Sequence, residues 1–231
     1  MDLPIFFIET LEPYDLLTLN EETSRHAVQV LRMKPSEKLQ LSDGAGNLLM
    51  AEILDNHKKN CTVRIIERKT VQKKKKKVSV AISLLKNAGR FEWFLEKATE
   101  TGVTEIIPLQ CQRTEKQHFR FDRMKQILIS AMMQSKQVWL PVLHEPADFS
   151  KVIASSAYES KLIAHCHDEL KQSVKDFAGK DSIQILIGPE GDFSDNEISF
   201  ALQNNYKPVT LGDTRLRTET AGVVAAAILC V

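Results

Sequence analysis

The chain has 231 residues, a length that suits one large domain or a small domain followed by a larger one. Its 43% apolar and 26% charged residues are ordinary for a folded soluble protein. No apolar run approaches the roughly 18 residues of a membrane span, so we expect no membrane partner. The formal net charge of +1 indicates no special partner either.

That total conceals a strongly segregated charge. The stretch 58–77 holds ten Lys or Arg residues and one acid, Glu67, and so carries a net charge of +9, whereas the remainder has 21 basic and 29 acidic residues. Attraction to phosphates depends on the local field rather than on the total charge. The pattern therefore predicts a polyanion-binding surface. For the lysine run 73–77 taken alone, a solvated linker is the alternative.

The cysteines and the N-terminus indicate an intracellular protein. The four cysteines lie far apart and form no C-x-x-C pair, so they are interpreted as reduced thiols. The N-terminal residues lack the basic flank and long apolar stretch of a secretory signal. We therefore expect a cytoplasmic location.

The first seventy residues predict short strands joined by turns, at 3–8, 39–42, 48–54 and 61–67. Residues 43–47, with two glycines, form the predicted hairpin connection. One helix interrupts the strands: Asn20 suits its N-cap, Glu21 and Glu22 suit its first turn, and Pro35 ends it. This half is predicted to be a small β-barrel.

After the lysine run, apolar strands alternate with amphipathic helices, which is typical of an α/β domain. Predicted strands lie at 78–84, 103–109, 161–165, 183–187 and 208–211, and predicted helices at 90–101, 121–137, 195–204 and 218–230. Gly102 suits a left-handed helix C-cap, and Ser194 with Glu197 has capping-box spacing. We place a domain boundary at 70–77. Pattern rules alone predict an open, mostly parallel sheet with helices on both faces.

Residues 185–193, I-L-I-G-P-E-G-D-F, form an apolar strand that runs into a glycine-bounded turn and a capped helix. Ligands of parallel sheets bind beyond the carboxyl ends of strands, and glycines allow close backbone approach there. The turn lacks the P-loop and dinucleotide motifs, which disfavours nucleoside triphosphates and NAD. An ordinary β-to-α turn is the alternative for this segment alone.

A second junction, L-G-D-T-R-L-R-T-E-T-A-G at 211–222, is chemically denser. Two arginines, two acids and three threonines precede or open an apolar helix whose N–H groups suit a carboxylate ligand. The alternative is that Thr218 or Thr220 is only the N-cap and that Arg217 and Glu219 form a surface ion pair.

The two junctions together, I-G-P-E-G and L-G followed by L-R-T-E-T-A, resemble the signature of the RsmE family of 16S ribosomal RNA (uracil-N3) methyltransferases, members of the SPOUT superfamily. Further agreement extends along most of the chain, at Lys86, Arg90, Glu92, Lys97, Glu100, Gly102, Val103, Pro108, Leu109, Arg113, Gln134, Ser135, Pro141, His26, Val30, Leu31 and Arg32.

The resemblance implies a PUA-like β-barrel over 1–70 for RNA binding and a SPOUT α/β domain with a deep trefoil knot over 71–231. It also implies a homodimer that binds S-adenosylmethionine in the knot and acts on 16S rRNA of the small ribosomal subunit. The implied cofactor-binding residues are His165, Gly188, Pro189, Glu190, Gly191, Leu211, Gly212, Leu216, Arg217, Thr218, Thr220 and Ala221. The expected RNA contacts are His26, Arg32, Lys73, Lys75, Lys86, Arg90 and Arg113.

The chain departs from the family pattern at four places, one of which is the absence of an arginine often found beside the first strand. Asp192 stands where a second glycine usually follows G-P-E-G, and the arginine expected soon after Leu-Gly is displaced to Arg215. The Q-S-x-R motif reads Gln134, Ser135, Lys136, Gln137.

Methyl transfer to the weakly acidic N3 of uracil requires a base, or stabilisation of the anion that develops on the flanking oxygens. We expect Arg217 to stabilise those oxygens and Glu219 to accept the proton or to orient Arg217. This chemistry needs no metal. Alternating side chains of His165, Cys166 and His167 point to opposite faces of a strand, so they are not expected to bind one ion.

Three rival functions remain open at this point. One is a SPOUT methyltransferase that acts on another RNA, such as transfer RNA. Another is a catalytically silent RNA-binding or ribosome-assembly factor, which needs neither cofactor nor the Arg217 and Glu219 pair. A small-molecule α/β enzyme leaves the basic stretch 58–77 unexplained.

Overall fold

The computed structural model describes residues 3–11, 13–115, 118–167 and 170–231. The chain separates into two compact units. The first comprises Met1–Lys73 and Met132–Leu140, and the second comprises Lys74–Ala131 and Pro141–Val231. Within the described part of the chain, no helix has the length and apolar character that a membrane crossing requires.

The first unit contains a five-stranded sheet. Its strands are β1 Ile5–Phe7, β2 Leu16–Thr18, β3 Lys38–Ser42, β4 Asn47–Asp55 and β5 Thr62–Thr70. The order across the sheet is β1-β3-β4-β5-β2, and only β1 and β3 pair in parallel. Leu49, Ala51 and Ile53 alternate inward along β4, as expected for a strand with one buried face. The strand β2 was not predicted.

The predicted hairpin connection is confirmed between β3 and β4. Asp43 Oδ1 accepts hydrogen bonds from the backbone N–H groups of Ala45 at 2.8 Å and Asn47 at 3.2 Å. Gly44 and Gly46 both have left-handed backbones, with φ of 69° and 95°. The turn therefore depends on the two glycines and on the local acceptor of Asp43.

The helix of the first unit is shorter than predicted. Asn20 caps it as expected, since its side chain accepts from Thr23 N at 2.8 Å. The α-helix α1 spans only Glu21–Arg25, and the chain continues as a π-helix over His26–Val30. The prediction of one α-helix that ends just before Pro35 was wrong. A π-turn, with Leu31 N donating to His26 O, follows α1, and Arg32 then ends the helical backbone with a left-handed φ of 55°.

The second unit contains a parallel sheet. Its strands are β6 Lys77–Ser83, β7 Glu105–Gln110, β8 Val142–Leu143, β9 Ala147–Asp148, β10 Ser160–Ala164, β11 Gln172–Ser173, β12 Ser182–Ile187 and β13 Lys207–Thr210. They lie in the order β11-β13-β10-β12-β6-β7-β8, with β9 also pairing with β7, and all pairs are parallel. Strands β6 and β12 are buried almost throughout, as expected for strands covered on both faces.

The helices in and adjoining this unit are α2 Ala88–Thr101, α3 Phe121–Gln134, α4 Phe149–Ser155, α5 Asp195–Gln203 and α6 Thr218–Cys230, with a 3-10 helix over Val174–Phe177. The predicted signals hold: Gly102 ends α2 with φ of 92°, and Ser194 and Glu197 form a capping box on α5. The helix α6 packs closely on α2, since a Cβ on Gly222 would lie 2.7 Å from Phe94. The α/β fold is confirmed, and the trefoil knot stays a prediction.

A buried polar chain crosses the sheet next to its amino-terminal edge. Tyr206 donates from its hydroxyl to Gln184 Oε1 at 2.5 Å, and Gln184 donates to Ser79 Oγ at 3.3 Å. At the start of β7, Glu105 accepts from Tyr158 OH at 2.8 Å and lies 2.9 Å from His144 Nε2. Burial acts to raise the pKa of Glu105, but hydrogen bonds from Ser79, Tyr158 and His144 outweigh it and lower the pKa.

We predict that Glu105 contributes stability that is lost in acid. Because its folded pKa is lowered, the contribution is present above the unfolded pKa of about 4.3 and disappears as the pH falls through the folded pKa. Glu105→Gln should therefore lower the free energy of unfolding at pH 7 by about 1 to 2 kcal/mol and flatten its acid dependence. Urea denaturation from pH 7 to pH 3 measures this, with exposed Glu159→Gln as control. Equal acid slopes for Glu105→Gln and wild type would contradict the assignment.

Candidate functional site

The candidate site lies where neighbouring parallel strands end. Strands β10 and β12 pair so that Ala164 lies opposite Ile187, and the chain leaves both strands at the same edge. The loop after β10, the turn after β12 and the segment that joins β13 to α6 therefore converge there. This position, beyond the carboxyl ends of parallel strands, is where such sheets bind ligands.

The three segments enclose a cavity of about 460 Å³, which we call the junction cavity. Its volume lies in the range of small-molecule and cofactor sites. It is lined by Arg90, Ala164, Cys166, Ile187, Gly188, Pro189, Glu190, Asp192, Arg215, Leu216, Arg217, Thr218 and Ala221.

One buried hydrogen bond joins the two predicted junctions. Thr218 donates from Oγ1 to the carbonyl oxygen of Gly188 at 3.0 Å. Thr218 is the first residue of α6 and Arg217 is the N-cap, whose side chain makes no capping hydrogen bond. The interpretation of Thr218 as a simple N-cap is therefore wrong, because its hydroxyl donates to the turn of the first junction and not to the start of α6.

The turn after β12 is held from several sides. A Cβ on Gly188 would lie 3.1 Å from the ring of Phe193, which is fully buried and packs on Phe149 at a ring separation of 5.3 Å. Arg113 donates from Nη1 to Gly191 O at 2.6 Å. The backbone of Gln112 donates to Glu197 Oε1 at 2.8 Å. The turn is thus a well-supported wall of the junction cavity.

The backbone and contacts of Asp192 explain why the chain can carry an acid where the family pattern has a glycine. Its backbone is left-handed, with φ of 63°, a conformation that glycine adopts without cost and that Asp tolerates better than most residues. Its side chain makes contacts that glycine lacks: Oδ2 accepts from Cys166 N at 2.7 Å, and Oδ1 accepts from Phe193 N at 2.8 Å. Asp192 therefore ties the loop after β10 to the turn after β12.

Charged groups from three distant parts of the chain meet beside the cavity. Arg90 on α2 lies 3.1 Å from Glu190 Oε1 through Nη1, and 3.7 Å from Glu219 Oε1 through Nε. Glu219 is only 6% exposed, so this acid is not part of a surface ion pair with Arg217. Among the described residues, Glu219 Oε2 is buried and has no hydrogen-bond partner. An unsatisfied buried carboxylate oxygen is costly and is common at functional sites.

The structure brings together part of the predicted cofactor set. Gly188, Pro189, Glu190, Leu216, Arg217, Thr218 and Ala221 line the junction cavity, whereas His165, Gly191, Leu211, Gly212 and Thr220 are not among its lining residues. His165 is buried, and its carbonyl accepts from Lys171 Nζ at 2.8 Å. Ala164, the last residue of β10, and Cys166 line the cavity, whereas His165 between them does not.

Several lining residues were missed. The available signal for Ala164 and Cys166 was their position at and just beyond the C-terminal end of β10. For Arg90, which was predicted to contact RNA, no local pattern indicates a partner one hundred residues away.

The remaining residues predicted to contact RNA lie in both units. His26 is exposed and packs edge-on against Phe6, and the Nζ of Lys73 lies 5.1 Å from the ring centroid of Trp139. Arg32, Lys75 and Lys86 are exposed, and Lys86 lies 3.3 Å from Glu115 Oε2. Among the described residues, no group of three or more His, Cys, Asp or Glu side chains is placed to hold a metal ion.

Comparison with known proteins identifies the class. Residues 72–230 match the family model described as an RNA methyltransferase domain, and residues 19–66 match the one described as an RNA methyltransferase PUA domain. The fold and the junction cavity thus belong to an RNA methyltransferase that carries a PUA domain. Ribosomal RNA small subunit methyltransferase E of Synechocystis sp. is 31% identical over 91% of this chain and 71% of that protein. The chain belongs to the ribosomal RNA small subunit methyltransferase E family, which confirms the resemblance of the two junction motifs.

Solved structures agree with this assignment. A crystal structure from Porphyromonas gingivalis is 35% identical and matches with a TM-score of 0.91, covering 97% of this chain and 95% of that one. Ribosomal RNA small subunit methyltransferase E from Neisseria gonorrhoeae, solved bound to S-adenosyl methionine, is 28% identical with a TM-score of 0.87 over 98% of this chain and 96% of that one.

We predict that Asp192 holds the loop after β10 through hydrogen bonding. Asp192→Gly removes both acceptors but relieves a left-handed backbone cost of about 1 to 2 kcal/mol, so global stability should change little. Exchange of the Cys166 amide should nevertheless become about 10-fold faster. Asp192→Ala should show the same fast exchange and also a lower free energy of unfolding, because it keeps the backbone strain.

Hydrogen exchange resolved at Cys166, together with urea denaturation, measures both effects. Asp192→Asn is the matched control, since Asn tolerates the left-handed backbone and keeps one acceptor. If the Cys166 amide were protected equally in all variants, the tie would have no role.

Proposed function

We propose that this protein methylates N3 of a uridine in the 16S ribosomal RNA of the small subunit, with S-adenosylmethionine as the methyl donor. The observation that carries the proposal is the junction cavity, whose wall includes Arg217 and adjoins a buried carboxylate, Glu219. A cofactor cavity beside an acid and a guanidinium suits the removal of a proton from a weakly acidic nitrogen. The family of this chain supports the RNA substrate.

The residues of the junction cavity suit S-adenosylmethionine. The carboxylates of Glu190 and Asp192 would attract the positively charged groups of the cofactor. The positive N-terminal end of α6 would attract the carboxylate of the cofactor. The flat adenine ring suits the part of the wall formed by the backbone of Gly188 and Pro189 and by the apolar side chains of Leu216 and Ala221. The cofactor supplies an electrophilic methyl group, so the protein must supply the nucleophile's deprotonation and alignment.

Arg217 and Glu219 fill those roles in the proposal. Glu219 accepts the N3 proton of uracil, and Arg217 stabilises the negative charge that spreads to the flanking carbonyl oxygens. Burial of Glu219 beside Arg90 keeps the acid in a fixed place, since Arg90 lies between Glu219 and Glu190. Positioning of N3 against the methyl group supplies the remainder of the rate.

The N-terminal domain and the basic stretch are proposed to bind the RNA. We assign 1–70 as a PUA-like RNA-binding domain and 71–231 as the methyltransferase domain. His26, Arg32, Lys73, Lys75 and Lys86 are retained as phosphate or base contacts, because all five are exposed. Of the two other predicted RNA contacts, Arg90 lines the junction cavity and Arg113 supports the turn after β12.

We further propose that the protein is a cytoplasmic homodimer. Helix α6 carries half-buried apolar side chains at Val223, Val224, Ala227 and Ile228, spaced to form one stripe. In the homodimer that the family resemblance implies, a second copy would bury this stripe.

The substrate experiment incubates the protein and labelled S-adenosylmethionine with undermethylated small subunits, free 16S rRNA and transfer RNA, followed by mass mapping. The expected product is one N3-methyluridine in 16S rRNA. Methylation of transfer RNA instead would support the rival enzyme. Absence of S-adenosylmethionine binding by calorimetry would favour the non-catalytic assembly factor.

The mechanism predicts a separation between binding and chemistry. Arg217→Ala should lower the single-turnover methylation rate by roughly 100- to 1000-fold, and Glu219→Gln by at least about 100-fold, because each removes a group that acts in the transition state. Calorimetry should show S-adenosylmethionine affinity within a few-fold of wild type for Glu219→Gln. Lys175→Ala, an exposed cation outside the junction cavity, is the control. A near-normal rate for Arg217→Ala would remove it from the mechanism.

A further inference from the structure

A second cavity adjoins the junction cavity. It has a volume of about 490 Å³ and lies between the N-terminal turns of α2 and α6. Because Trp93 forms part of its wall, we call it the Trp93 cavity. Arg90 and Arg217 line both cavities, so the two cavities are neighbours. A molecule in the Trp93 cavity would lie directly beside a cofactor in the junction cavity.

The Trp93 cavity is lined by a buried acid, Glu219, one of whose carboxylate oxygens has no donor among the described residues. Glu219 lines this cavity, is 94% buried, and its Oε2 has no hydrogen-bond partner there, while its Oε1 faces Arg90. A buried carboxylate oxygen without a donor loses free energy that a ligand N–H would restore. This oxygen therefore indicates a ligand with a hydrogen-bond donor.

The flanking groups specify more of that ligand. Arg90 and Arg217, also part of the cavity wall, are permanent donors. The wall is therefore lined by two cationic donors and one carboxylate acceptor. The edge of uracil that carries O2, N3–H and O4 presents the complementary acceptor, donor and acceptor. The corresponding edge of cytosine places an unprotonated N3 against the carboxylate and an amino group against an arginine, so cytosine would be rejected.

Trp93 provides an apolar surface for the ring. It lies one turn after Arg90 on α2, so the two side chains share a helix face. Its side chain is 42% exposed, a large fraction for tryptophan. Aromatic side chains bind unpaired bases by stacking, and this contact accounts for much of their affinity. The N-terminal ends of α2 and α6 also favour negative charge in the cavity, as on a deprotonated uracil.

We propose that the Trp93 cavity is the pocket for the target base, which enters unpaired, stacks on Trp93 and is read as uracil by Arg90, Glu219 and Arg217. This inference rests on the proposed function and adds the location of the substrate base and the cause of its selection. It also makes Arg90 a shared residue that contacts the base and holds Glu190 at the cofactor side.

The first test uses the intrinsic fluorescence of the full-length protein in the presence of S-adenosylmethionine. Uridine 5′-monophosphate should quench emission in a saturable manner, and cytidine 5′-monophosphate should bind at least about 5-fold more weakly. Trp93→Phe should abolish the saturable quenching, because the other tryptophan, Trp139, belongs to the first unit. Equal quenching by the two nucleotides, or quenching that persists in Trp93→Phe, would overturn the proposal.

The second test measures methylation of the RNA substrate by Trp93→Ala and Trp93→Phe. Loss of stacking should lower kcat/KM for RNA by about 5- to 100-fold in Trp93→Ala, while Trp93→Phe retains most of it. The affinity for S-adenosylmethionine and the sedimentation coefficient should not change. An unchanged kcat/KM in Trp93→Ala would overturn the proposal, and so would conversion of a dimer to a monomer, which would assign Trp93 to a contact between copies.

The two proposals fail in different ways. If the wild-type protein methylates no ribosomal RNA, the proposed function is wrong, whereas the quenching experiment still decides whether the Trp93 cavity binds uracil. If the wild type methylates RNA but Trp93→Ala does so equally well, only the base pocket is wrong.

Discussion

The hydrogen bond from Thr218 Oγ1 to the carbonyl oxygen of Gly188 links the start of α6 to the turn after β12. The rest of the site depends on this link. Because both groups are buried, removal of the hydroxyl would leave an unsatisfied carbonyl, at a cost of about 1 to 3 kcal/mol. The bond fixes the first turn of α6 against the turn after β12. Arg217 and Glu219 flank Thr218 in the sequence. The bond therefore holds Arg217 at the junction cavity and Glu219 in its buried position. Their placement follows from a buried contact and from the close packing of Gly222 on α2.

Electrostatics then accounts for the distribution of charge around that bond. A buried carboxylate such as Glu219 requires a compensating group, and Arg90 provides it at 3.7 Å while also reaching Glu190 at 3.1 Å. One guanidinium thus serves two acids on two different segments. Arg suits this role better than Lys because its planar group presents several N–H donors in fixed directions. One oxygen of the Glu219 carboxylate, Oε2, is buried and has no donor among the described residues.

Long helices and strands and their caps could be predicted well from the sequence. Contacts between residues that are far apart in the sequence could not. Apolar runs over β6 and β12 and the capping box of Ser194 and Glu197 are local signals, and the structure contains all of them. Two-residue strands such as β8 and β11 were missed because two residues define no period. The segment Met132–Leu140 belongs to the first unit through contacts such as the bridge between Ala45 and Trp139, for which the sequence gives no local signal. The sequence likewise gives no local signal for the ion pairs of Arg90 with Glu190 and Glu219.

The two cavities share Arg90 and Arg217, and this has a consequence for the reaction. A methyl donor and a nitrogen acceptor must be in line and within van der Waals contact, which requires that no rigid wall of backbone separate their pockets. Here Arg90 and Arg217 belong to the walls of both cavities, and their guanidinium groups can donate to either ligand. Asp192 and Thr218 keep the backbone of the cofactor side fixed, through bonds to Cys166 and Gly188. Rigid backbone on the cofactor side and cations common to both walls together meet both requirements of methyl transfer, alignment and charge stabilisation.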